Sequence, residues 1–232
     1  MIEKYYNGVI EQVAGGIGNV EHNSILVRYS NDFSIWDLES VNHYKDQTDI
    51  FFTCHEFSYN KIAEAYEPYL GLIRQMFHKY CSGTLEEFME ECDVYKLQRP
   101  VFESYFEKGF CERTEQILID EVEYEQERMR NSIVTMLQKL SEIRPVVIVL
   151  NRFQLASKST MQLSNSLLQV KNKNIGIVLG VNDVQSIPEF AHEEWDAICE
   201  SMDDRNMVYH IGNAGRNMEP DVMDYYSDYE SD

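Results

Sequence analysis

Arg144-Pro145-Val146-Val147-Ile148-Val149-Leu150-Asn151-Arg152-Phe153 is the stretch that decides how this chain folds. Five consecutive aliphatic residues follow a proline. A strand with one wet face would alternate apolar and polar residues, so an unbroken run implies a strand covered on both faces. Such strands belong to parallel sheets flanked by helices. The end of the strand is polar, Asn151 followed by Arg152. An amide is a poorer ligand for a hard cation than a carboxylate, and a guanidinium is itself a cation. This strand therefore brings no metal-binding acid to its C-terminal tip.

Working outward, the same alternation of elements repeats. A helix is predicted over about 158–171, with Met161, Leu163, Leu167 and Leu168 on its apolar face. Strand 174–180 follows, then a helix over about 188–203 and a short strand at 206–211. His192-Glu193-Glu194 reads as the first turn of that last helix, where acids favour the helix dipole. Upstream, residues 8–20 begin like a helix and break at Gly15-Gly16 and Gly18. Ser24–Tyr29 reads as a short strand, 34–43 as a weak helix, and Asp49–Cys54 as a second buried strand. Residues 59–81 carry a helical stripe (Ile62, Tyr66, Leu70, Ile73, Phe77, Tyr80) interrupted by Pro68. Thr84-Leu85-Glu86-Glu87 has capping-box spacing and opens a helix through about Glu91. Pro100 opens another to about Lys108, and 114–142 reads as one long amphipathic helix with an acidic first half. The expected architecture is α/β, a parallel sheet flanked by helices with a helical insertion at about 83–142. One domain would span 1–212. Residues 213–232 lose periodicity, have no base after Arg216 and end in acid and tyrosine, the composition of a linker or a disordered tail.

The chain of 232 residues carries a net charge of −20. Nucleic acid and anionic lipid surfaces are bound through a surplus of Lys and Arg, so neither is an expected partner. No apolar run approaches the ~20 residues of a membrane-spanning helix. The first residues, Met1-Ile2-Glu3-Lys4-Tyr5-Tyr6, lack the apolar core of a secretory signal, and the expected location is the cytoplasm. Cys54, Cys81, Cys92, Cys111 and Cys199 have no CxxC spacing, which signals neither zinc nor a redox pair; free thiols in a reducing compartment are the default. Cys54 and His55 are adjacent in a strand and point to opposite faces, which speaks against a thiol–imidazole pair. The six histidines are scattered, and neither H-E-x-x-H nor G-x-S-x-G occurs. No catalytic residue, metal site or cofactor is expected.

The order of segments resembles the AAA-related ATPase domain of STAND-type signal-transduction ATPases, over roughly residues 8–212. Three stretches carry the likeness. Asp49–Ser58 with Ala65-Tyr66-Glu67-Pro68-Tyr69-Leu70-Gly71-Leu72-Ile73-Arg74 looks like the family's strand ending in a cysteine and the aromatic-x-Pro-aromatic helix start. Val146–Ser157 with Ser159-Thr160-Met161-Gln162-Leu163 looks like the Walker B strand, its tip and the following helix. Ile175–Gly180 with Val181-Asn182-Asp183 looks like the sensor strand. The resemblance implies a P-loop NTPase-like fold within a longer bacterial signalling regulator, whose other domains would be its partners.

The departures decide what the likeness can carry. A phosphate-binding loop needs glycines whose backbone N–H groups cradle phosphate, a Lys on the β- and γ-phosphates and a Ser or Thr on Mg²⁺. After strand 24–29 the chain reads Tyr29-Ser30-Asn31-Asp32-Phe33-Ser34-Ile35-Trp36-Asp37-Leu38, with no Gly and no Lys, and with two acids that would repel a triphosphate. Gly15-Gly16-Ile17-Gly18 precedes the strand and reads as a turn. Where the resemblance calls for the Mg²⁺ acid and the water-handling acid, the residues are Asn151 and Arg152. The leading expectation is a degenerate, non-catalytic NTPase-like regulatory or scaffolding module lacking Walker A and Walker B residues. Two alternatives stay open. One is an unorthodox nucleotide-binding switch with Asn31, Ser34, Asn151 and Asn182 as contacts at the sheet's C-terminal edge. The other is an α/β interaction domain whose acidic helix or tyrosine-rich tail engages a basic partner, in which charge reversal at Glu121, Glu123 and Glu127 would weaken the complex.

Overall fold

The computed structural model describes residues 2–19, 23–30, 34–45, 49–61, 63–109, 122–182, 187–203 and 208–211. Five parallel strands form one sheet: β1 (Ser24–Tyr29), β2 (Phe51–Glu56), β3 (Val146–Asn151), β4 (Ile175–Asn182) and β5 (Val208–Ile211), in the order β2-β3-β4-β1-β5. The three strands at the centre are the ones with continuous apolar runs, and every residue of β3 and β4 is buried. Successive side chains of β3 divide between two cores, because strand side chains alternate in direction. Val146, Ile148 and Leu150 join one cluster, while Val147 and Val149 join the other.

The smaller core lies under α1 (Ile2–Gly15) and α2 (Glu39–Lys45). Tyr6, Val9, Ile10, Val13 and Ala14 recur at helical spacing on α1 and are buried against the sheet. The larger core lies on the opposite face. It takes residues from α3 (Tyr69–Tyr80), α4 (Leu85–Glu91), α5 (Arg99–Lys108), α6 (Val122–Ile143), α7 (Lys158–Val170) and α8 (His192–Asp203). The predicted insertion therefore folds onto the sheet: Phe88, Met89, Phe102 and Phe106 share one apolar cluster with Ile148 and Leu150. The expected helix over 114–142 is described from Val122 onward. Its first part, with Cys111 and the tail at 213–232, lies outside the described residues.

Several boundaries differ from the sequence reading. The first helix begins at Ile2, well before residue 8. Strand β2 is Phe51–Glu56, two residues later than expected, because its pairing with β3 starts at Phe51↔Val146. The stripe over 59–81 becomes helical only from Tyr69, since Tyr66 adopts a left-handed conformation with φ 61° that no α-helix continues through. The weak helix at 34–43 splits into a 3₁₀ turn, Ile35–Asp37, and α2. The Thr84 capping box is formed in both directions: Glu87 N–H donates to Thr84 Oγ1 at 3.2 Å, and Thr84 N–H donates to Glu87 Oε2 at 2.8 Å.

The crossover from β1 to β2 runs through α2 on the smaller-core face. The crossovers β2–β3, β3–β4 and β4–β5 run through helices of the opposite face. The helices before and after β1 share one face, but the helix after β1 and the helix after its neighbour β4 lie on opposite faces, so the connections leave the adjacent tips of β1 and β4 in opposite directions. In open α/β sheets this switch, at the C-terminal ends of the strands, is where a ligand crevice forms.

Candidate functional site

The tips of β1, β2, β3 and β4 meet at this edge. Asn151 ends β3 and is fully buried. Its side chain points to the smaller core, where Oδ1 accepts a 2.8 Å hydrogen bond from the Tyr29 hydroxyl at the end of β1. Tyr6 of α1 packs edge-on to Tyr29, with centroids 6.4 Å apart. Gly180 of β4 completes the enclosure. A methyl group there would meet the Tyr6 hydroxyl and come within 2.6 Å of Asn151 Oδ1, so only glycine leaves room for both. The Asn151 amide nitrogen is buried with no hydrogen-bond partner.

Arg152, the next residue, takes a left-handed conformation (φ 52°, ψ 42°). That turn sends its guanidinium to Glu56, the last residue of β2, with Nη1 3.2 Å from Oε1. The other carboxylate oxygen of Glu56 accepts the backbone N–H of Ile35 at 3.2 Å. Ile35 opens the 3₁₀ turn after β1, in the segment that the resemblance equates with a phosphate-binding loop. A carboxylate of the chain itself thus occupies one N–H that a phosphate would need, and an arginine of the chain balances it. Ser34 caps the same turn, accepting from Trp36 N–H at 3.3 Å. Asn182 ends β4 opposite Tyr29, is buried, and donates its backbone N–H to Gln154 Oε1 at 3.3 Å.

Of the four residues singled out from sequence, Asn151, Ser34 and Asn182 gather at the C-terminal edge, and Asn31 lies outside the described residues, as do Asp32 and Asp183. The Asn151 side chain is turned to a structural partner, Tyr29, and Asn182 is buried with its backbone N–H on Gln154. Sequence reasoning missed Glu56 and Gly180. Glu56 lies 96 positions before Arg152, and no local spacing announces the pair. The usable signal was a strand closing in Glu beside a strand tip carrying Arg.

The remaining reactive groups are quiet. Burial pushes the Cys54 thiol up to about 11 and the Cys92 thiol up to about 12, so neither supplies thiolate near neutrality. Cys54 belongs to the smaller-core side while His55 packs on Phe57 of the larger core, with centroids 4.6 Å apart; the two side chains diverge. Among the described residues no group of three or more His, Cys, Asp or Glu side chains could hold a metal ion, and no helix is long and apolar enough to cross a membrane. No protein-family model matches this chain, and no curated protein resembles it significantly.

Proposed function

We propose that this chain is a non-catalytic, NTPase-like regulatory or scaffolding module, working in the cytosol with other domains of a signalling protein or with a separate partner. One observation carries the reading. The residues at the positions of the Mg²⁺ acid and the water-handling acid are consumed by internal contacts: Asn151 lies buried under Tyr29, and Arg152 is tied to Glu56. Glu56 in turn holds the backbone of the turn after β1. A triphosphate approaching there would meet a carboxylate where it needs N–H donors, and Mg²⁺ would meet a guanidinium where it needs carboxylate oxygens.

A second reading, nucleotide binding without hydrolysis, draws support from the adjacent tips of β1 and β4, whose following helices lie on opposite faces, the place where open α/β sheets bind ligands. Calorimetric titration with MgATP, MgADP and MgGTP separates the two. Silence at millimolar nucleotide is the expected result. Saturable micromolar binding would overturn the main reading, and Asn151 with the Tyr29–Asp37 segment would be the first positions to substitute.

A further inference from the structure

Seven large apolar side chains stand exposed among the described residues, and three of them, Tyr95, Leu97 and Tyr124, belong to two segments of the helical insertion that Arg128 and Gln98 join, residues 95–98 and the first turns of α6. Leu97 and Tyr124 are the most exposed of the seven, at 63% and 65%. The Arg128 guanidinium lies 4.3 Å from the centroid of the Tyr95 ring. Tyr124 precedes Arg128 by four residues on α6, which puts both on one helix face. Gln98 is buried and donates to the Glu125 carbonyl at 3.2 Å, holding the segment with Tyr95 and Leu97 against the first turns of α6. Single apolar side chains on a surface are ordinary, but a contiguous group with a polar rim marks an interaction site. Acids outnumber bases among the exposed charges beside these side chains, Asp93, Glu123 and Glu127 against Lys96 and Arg128, and residues 83–142 contain fifteen acids against seven bases.

Charge selects the occupant. A second copy would bring another net −20 against the first, and nucleic acid or an anionic bilayer would be repelled in the same way. We propose that Tyr95, Leu97 and Tyr124 form a docking surface for a basic, amphipathic segment of a protein partner. Its apolar side chains seat on Leu97 and Tyr124, and its Lys or Arg side chains face Glu123 and Glu127. This surface gives the regulatory reading a partner, and the two fail separately, since nucleotide binding at the sheet edge would leave it untouched.

The test uses the full chain and a fluorescein-labelled 18-residue helical peptide of leucine and lysine, with the leucines on one face. Anisotropy is read at physiological salt, and circular dichroism checks that each variant is folded. The wild type binds saturably. The double variant L97D/Y124D binds about tenfold more weakly or worse, although it has gained two negative charges. E123K/E127K also loses affinity, whereas E103K/E107K on α5 loses less. Binding by L97D/Y124D that equals or exceeds the wild type would mean that charge alone attracts the peptide, and the surface falls. Equal losses from the α6 and α5 charge reversals would say the same. Absence of wild-type binding, or a wild-type dimer in sedimentation that L97D/Y124D dissolves, would also overturn it.

Discussion

Tyr29 and Gly180 show how narrow the tolerances are at the sheet edge. Removing the hydroxyl in Tyr29→Phe leaves Asn151 Oδ1 buried without its donor. The expected loss is about 1–3 kcal/mol, the usual penalty for an orphaned buried acceptor, read as a lower midpoint in urea with an unchanged slope. Gly180→Ala drives a methyl into Asn151 Oδ1 and the Tyr6 hydroxyl. Neither is a flexible chain end, so the sheet or α1 must shift, at about 1–3 kcal/mol in the same experiment. His55 gives a pH dependence. Burial holds its imidazole below the usual 6.5, with Glu67 opposing and Lys61 adding to the depression. Protons then bind the unfolded chain more readily, so stability is whole above pH 6.5 and declines as the pH falls below it. Urea midpoints between pH 5 and 8 should show that decline, and His55→Phe should flatten it. Only part of this site is legible in the sequence. The polar tip Asn151-Arg152 was visible because it interrupts an aliphatic run. Glu56 was not, because its role comes from lateral neighbours in a parallel sheet, which are remote in sequence.

Among the elements, α4 is the one most dependent on its cap. It has seven residues, and short helices form only with help from packing and capping. Thr84→Ala removes one half of the capping box while α4 still has Phe88 and Met89 to bury, so a loss of about 0.5–2 kcal/mol is expected, measured by thermal or chemical unfolding. Elements of this kind were readable because their signals are local: a cap three residues from its partner, or an unbroken aliphatic strand such as β3 or β4. Element boundaries depart from the local signals where tertiary context decides. Strand β2 is an edge strand with every residue half-buried, so its ends are set by the partner strand rather than by its own hydrophobicity. The stripe at 59–81 kept helical spacing through a segment that the backbone at Tyr66 makes non-helical. The first turns of α1 carry Gly8 and two exposed charges, which hid a helix whose buried face starts at Tyr6.

For the whole molecule, a net charge of −20 on 232 residues means that folding concentrates like charge. Salt weakens that repulsion and also weakens favourable surface ion pairs. Pairs such as Lys61–Glu67 and Lys139–Glu91 have exposed lysines, and exposed pairs of this kind contribute roughly 0–1 kcal/mol each. The repulsion should therefore win. Raising NaCl from about 10 mM to about 1 M shortens the screening length from ~30 Å to ~3 Å, and the melting temperature is expected to rise. Calorimetry at a series of salt concentrations checks this, and a fall would mean that ion pairs outweigh the net charge. The fold class was legible at this scale because alternation of aliphatic strands and helices leaves few other solutions. The attachment of the insertion to the main core was not, since nothing in the spacing of Phe88, Phe102 and Phe106 says which surface they cover.

The contact between Arg152 and Glu56 also constrains how this sequence can drift. Replacing Arg152 with an acid leaves two carboxylates facing each other at neighbouring strand tips. Replacing Glu56 first removes one carboxylate from beside the Arg152 guanidinium and frees the Ile35 amide. Each single step is worse than the starting point, while the paired exchange needs two coincident substitutions. The pair couples two strand tips remote in sequence, so a charge reversal at either position is expected to be relieved by the opposite reversal at the other.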